Sequence, residues 1–224
     1  MGTLASNRKG YIVGASASDW ESALSASTGT AYDSQSSNAV TAIQFFFSSG
    51  RGGGTYRLTR TFIHFDTSGI SGGSNFQLVV TSVAGGEDSG HNVTAVNHNA
   101  GSGNGSELAN ADFNNVIKGT AWSSQTAWPS SGQVTFTLNA AAATQIINNN
   151  DFNVALILNS DYAEEEEGPE QTFSNGIAFG SAINLTYTDP ASGFTHKINS
   201  LAAASIGKVN TVATANIGKI NTVD

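Results

Sequence analysis

From Tyr56 to Phe65 the chain alternates aromatic, β-branched and long side chains with Arg and Thr, and it breaks at Asp66-Thr67-Ser68-Gly69. A period of two that stops at a turn tetrapeptide reads as one long strand. Ile63 and Phe65 fall on one face, Phe62 and His64 on the other. Both faces carry ring or aliphatic surface, so the strand is expected to be central and covered on both sides. The rest of the chain must supply those covers. Only 12% of the 224 residues are charged, while Gly numbers 25, so solubility rests on Ser, Thr and Asn. That is the composition of a β protein, with length for one large sandwich and a tail in preference to two small domains.

Along the chain, Tyr11-Ile-Val-Gly14 is a short strand candidate, and the Ser/Ala-rich stretch around Trp20 reads as a strand or an exposed lead-in. The pattern from Asn38 through Phe45-Phe46-Phe47 to Ser49 predicts a strand. The glycines from Gly50 to Gly54 make a hairpin turn, since no helix and no Lys-Ser/Thr follows to form a phosphate cradle. Further strands are predicted over 75–83, 92–98, 133–138, 152–158, 176–179 and 183–188. A long connection from Gly101 to about Ser131 carries Trp122 and Trp128. Asn139 is placed to cap a short helix over 140–147.

Asp189-Pro190 marks a boundary, because proline ends the strand and the composition shifts to small residues. Lys197-Ile-Asn-Ser-Leu201, Lys208-Val-Asn-Thr-Val212 and Lys219-Ile-Asn-Thr-Val223 then recur every 11 residues. Each unit is too short to bury an apolar face alone. Gly at the second position and β-branched residues afterward oppose a coiled coil, so extended β segments are expected. Ile206, Val209, Val212, Ile217, Ile220 and Val223 are the expected assembly residues.

The run Arg60-x-Phe62-x-x-Phe65-Asp66-Thr67-Ser68 resembles the signature strand of jelly-roll β-sandwich domains found in bacteriophage tail and virion proteins and in bacterial surface proteins. Phe136-Thr-Leu-Asn139, Phe152 to Leu158 and Ile183 to Tyr187 are similar to later strands of that family, so the likeness spans about residues 10 to 188. It implies an all-β fold: a jelly-roll-like antiparallel β-sandwich with a short helix and an extended C-terminal β-repeat tail. The expected division is an N-terminal lead-in over 1–37 with room for a first strand, a sandwich over 38–189, and a repeat tail over 190–224. The resemblance implies a non-enzymatic structural protein of a phage particle, serving in capsid decoration, tail-fibre construction or adhesion. Its partners would be copies of itself, a trimer first and an open filament second, together with other virion proteins. The alternative is a carbohydrate-binding module or host-receptor adhesin that meets a surface glycan through the Trp-bearing loop.

Charge and motifs narrow the chemistry. Asp and Glu number 17 against 9 Lys and Arg, a formal charge of −8, which repels nucleic acid. With no Cys there is no disulfide or thiolate metal site. No run approaches the ~20 apolar residues of a membrane span, and the N-terminus lacks a secretory core, so synthesis in a host cytoplasm and residence in the virion are expected. His64, His91, His98 and His196 lack metal-ligand spacing and read as strand or core residues. No nucleophile elbow is present, and no spacing pairs Glu87, Asp88, Glu107 and Asp112 for glycoside hydrolysis. No cofactor is expected, except that Asp161, Glu164 and Glu165 in the acidic run 161–170 offer hard oxygen ligands for a structural calcium, against the reading of a solvated loop. Trp122 and Trp128 are the candidate sugar contacts, against the reading that they plug the sandwich end.

Overall fold

The computed structural model describes residues 1–34, 42–50, 53–83, 91–101, 107–129, 132–166, 173–177, 183–190, 208–209 and 212–213. The predicted central strand is β5 in a chain that runs β1 (Gly2–Ala5), β2 (Arg8–Gly14), α1 (Trp20–Leu24), β3 (Gly29–Ser34), β4 (Ala42–Gly50) and β5 (Gly53–Asp66). It continues through β6 (Ser74–Val83), β7 (Asn92–His98), a 3-10 turn (Asn110–Asn114), β8 (Val116–Ala121), β9 (Thr126–Ala127) and β10 (Gly132–Thr137). The last elements are α2 (Ala140–Asn148), β11 (Asp151–Leu158), α3 (Asn159–Ala163), β12 (Phe173–Ile177), β13 (Asn184–Thr188), β14 (Lys208–Val209) and β15 (Val212–Ala213). The fold is all-β with short helices, and every strand pairing among the described residues is antiparallel.

β5 is long enough to serve three neighbours. Its first half pairs with β4, Gly53↔Gly50 to Thr59↔Gln44, and its second half lies between β2 and β11, with Phe62 opposite both Gly10 and Ala155. β11 continues to β7 and then to β8 and β9, which completes one group of strands. The other group centres on β6, flanked by β10 (Val80↔Val134, Leu78↔Phe136) and β13 (Leu78↔Leu185), with β1 outside β13. β12 joins the groups, pairing with both β4 and β6. Phe65, Phe152, Val154, Leu156, Leu78, Val80, Phe136 and Leu185 are all buried in one continuous cluster, an arrangement consistent with a β-sandwich.

The central strand is covered on both faces as its sequence requires. Phe62 is 2% exposed and Phe65 fully buried, and Ile63 and His64 are buried beside them. Asn139 caps α2, accepting from the Ala142 N–H at 3.0 Å, and Ala142 and Ile146 face inward.

Within the first 34 residues the strand expected at Tyr11–Gly14 is present as the end of β2, and the segment holds two further strands. β1 closes on β13, β2 lies directly on β5, and β3 lies on β2, so this segment is part of the sheet. Its inward positions along β2 are Gly10, Ile12 and Gly14, so two of the three carry no side chain for a periodicity to register. Close packing explains Gly14: a Cβ there would lie 2.6 Å from Phe113 Cζ. The stretch around Trp20 is the short helix α1, capped by Asp19, which accepts from the Ser22 N–H at 2.8 Å, with Trp20 4% exposed. The long connection likewise holds the 3-10 turn, β8 and β9.

Candidate functional site

Arg60 shares a face of β5 with Leu58, Phe62 and His64, and it is completely buried. A guanidinium without water needs its donors satisfied and its charge met. Asp161 of α3, 1% exposed, supplies the charge through a two-pronged pair, Nε–Oδ2 at 2.7 Å and Nη2–Oδ1 at 2.8 Å. The Phe113 carbonyl accepts from Nη1 at 2.8 Å and the Leu24 carbonyl from Nη2 at 3.2 Å, while the Phe113 ring lies 4.2 Å under the guanidinium carbon. Arg60 therefore ties α1, the 3-10 turn and α3 to the central strand. Lys118 of β8 joins the set, with Nζ 3.2 Å from Asp161 Oδ1 and 3.1 Å from Glu164 Oε1. Burial alone would raise the Asp161 carboxyl, but Arg60, with Lys118 beside it, outweighs that and holds it below the ordinary value.

Above this network lies an open cleft of about 590 Å³. Glu21, Ser22, Ser25, Asn114, Lys118 and Glu164 give it polar walls, and Leu24 and Val116 add apolar surface. Glu164 is the C-cap of α3 in the left-handed region, φ 59 and ψ 30, where glycine is the usual occupant.

The expected acidic loop is thus only in part a solvated run. Asp161 is a buried ion-pair partner, Glu164 reaches Lys118, and Glu166 accepts from the Tyr56 hydroxyl at 2.8 Å. Glu165 is exposed, and its backbone N–H donates to the Ser160 carbonyl. Among the described residues no three His, Cys, Asp or Glu side chains group as metal ligands would.

The indoles of Trp122 and Trp128 point inward, at 3% and 1% exposed, so neither offers a ring face to a sugar. Trp122 packs on Phe152 at 5.8 Å and donates through Nε1 to the Asn153 carbonyl, and Trp128 packs on Phe136 at 6.5 Å. Both belong to the continuous buried core, where an indole buries more apolar area than it would on the surface.

His64 and His98 are buried strand residues. His98, 2% exposed, donates from Nε2 to the Ile63 carbonyl at 3.1 Å and accepts at Nδ1 from the Ala100 N–H, so its neutral form is fully satisfied and burial pushes it down to about 4. His64 Nδ1 meets Asn7 Oδ1 at 2.8 Å, and burial lowers its pKa. Asp112 braces its own loop through the Gly101 and Ala109 N–H groups, and Glu107 is exposed. Glu87, Asp88 and His196 lie outside the described residues.

Of the assembly residues, Val209 and Val212 are direct cross-strand partners in the β14–β15 pair. Ile206, Ile217, Ile220 and Val223 lie outside the described residues. Sequence reasoning singled out Asp161 and Glu164 but not Arg60 and Lys118. The signal available for Arg60 was a charged residue on the same strand face as Tyr56, Leu58 and Phe62. Comparison of the sequence with protein-family models and with curated proteins gives no match.

Proposed function

We propose that this chain is a non-enzymatic structural protein of a bacteriophage particle, a capsid decoration or tail-fibre component, whose jelly-roll-like domain enters the assembly through its C-terminal repeats. The observation that carries the reading is the threefold repeat of 11 residues beyond Pro190, whose second copy contains the antiparallel β14–β15 pair. Two strands of two residues are far below what an isolated hairpin needs to persist in water. Apolar side chains recurring along so thin a segment gain about 25 cal/mol per Å² when covered, and other copies of the tail are the natural cover. Identical chains favour closed symmetry, so a trimer is the first expectation and an open filament the second, with neighbouring virion proteins as further partners.

Removing residues 190–224 is the test. β13 ends at Thr188, so the strands should survive the truncation while self-association is lost, as read by circular dichroism and by size-exclusion chromatography with light scattering. A truncated chain that assembles with the stoichiometry of the full chain would show the repeat to be a passive tail.

A further inference from the structure

We propose that the cleft over the Arg60 network is a binding site for an uncharged saccharide. The idea is independent of the tail and moves sugar recognition away from the two buried indoles.

The first support is the architecture beneath the cleft. Arg60 fixes α1 through the Leu24 carbonyl, the 3-10 turn through the Phe113 carbonyl and α3 through Asp161, and Lys118 brings in β8. Those four segments are the ones that wall the cleft. A buried ion pair adds little net stability over apolar packing of the same volume, so its contribution here is the fixed spacing of the walls. Preorganised walls are what a polar ligand with many weak contacts requires.

The second support is the chemistry facing the space. The Ser22 hydroxyl already donates to Asp19 and the Ser25 hydroxyl to the Glu21 carbonyl. Four groups remain to meet a ligand. The Glu21 carboxylate and the Asn114 amide have no partner among the described residues, and Lys118 and Glu164 hold each other at the rim. Two carboxylates accept from hydroxyls, the ammonium donates to them, and the amide does both. Leu24 and Val116 can take the C–H face of a ring. Two negative charges against one positive disfavour phosphate, sulfate and acidic sugars. The ion pair at the floor occupies the carboxylate a cation would need. A volume of about 590 Å³ has room for one or two pyranose rings. Glu164 keeps its place at a left-handed position despite the backbone cost, and its side chain gains the rim by doing so.

Saturation-transfer NMR on the full chain with methyl glycosides of glucose, galactose, mannose and N-acetylglucosamine tests the site, with sialic acid as the anionic comparison. At least one neutral glycoside should bind. Asn114→Ala and Glu164→Gln should each weaken it tenfold or more with an unchanged melting temperature. Tyr32→Ala, an exposed aromatic substitution on β3 outside the cleft lining, should leave it unchanged. Failure of every neutral glycoside to bind would overturn the proposal, as would binding that the two cleft variants do not affect or binding confined to sialic acid. The oligomeric state of the same samples reports on the tail separately, so the two readings can fail independently.

Discussion

Replacing Asp161 by Asn removes the charge that Arg60 faces while keeping the side chain's shape. Arg60 is then left fully buried with the neutral Phe113 and Leu24 carbonyls, at 2.8 and 3.2 Å, the Phe113 ring and the amide oxygen of the new residue. Breaking a buried pair from one side costs about 3–5 kcal/mol, because the remaining charge is neither hydrated nor met. Arg60→Met should cost less. Asp161 would still have Lys118 Nζ at 3.2 Å, and that ammonium is part exposed and already shared with Glu164. The double variant Arg60→Met with Asp161→Leu should return to within about 2 kcal/mol of the parent, the residue being the two carbonyls that lose their donor. Urea denaturation of these proteins together with the single variant Asp161→Leu, at neutral pH, closes a double-mutant cycle for Arg60→Met and Asp161→Leu, with a coupling of at least about 2 kcal/mol expected. A cost below about 1 kcal/mol for Asp161→Asn, or a greater cost for Arg60→Met than for Asp161→Asn, would refute the account of Arg60 as a buried charge held by Asp161.

Two further outcomes follow from the same geometry. His98 titrates near 6.5 when unfolded but at about 4 when folded, so the unfolded chain takes up its proton first as pH falls; stability is whole above about 6.5 and is lost down to about 4, roughly 3 kcal/mol in all. Denaturation of the parent and of His98→Asn at pH 7, 5.5 and 4 isolates that loss, and equal acid sensitivity in the two proteins would remove His98 as its cause. In the core, Phe62→Ala and Phe65→Ala should each cost about 3–5 kcal/mol in equilibrium unfolding, and a loss below about 1 kcal/mol in both would take β5 out of the centre of the fold.

Local pattern was enough to place β7, β10, β11 and α2 to within a residue and β5 to within three, because alternation, apolar runs and the Asn139 cap act within a few residues. It found the end of β2 at Tyr11–Gly14 but not its start, and it missed β1 and β3; along β2 the inward glycines present no apolar side chain, while the bulk they pack against comes from distant residues such as Phe113. The two tryptophans show the same division. Their sequence surroundings are a Gly- and Ser-rich connection, yet Phe152 and Phe136, brought by other strands, decide that they are buried. The cleft was still less legible. Arg60 and Asp161 are 101 residues apart, and in isolation one reads as a polar interruption in a strand and the other as the start of a solvated acidic run. Alternation, the turn after β5 and the repeat beyond β13 can be read from chain order alone. Which charges are buried and which segments they tie together emerge from the folded arrangement, because burial and ion pairing depend on distances between elements that no local period encodes.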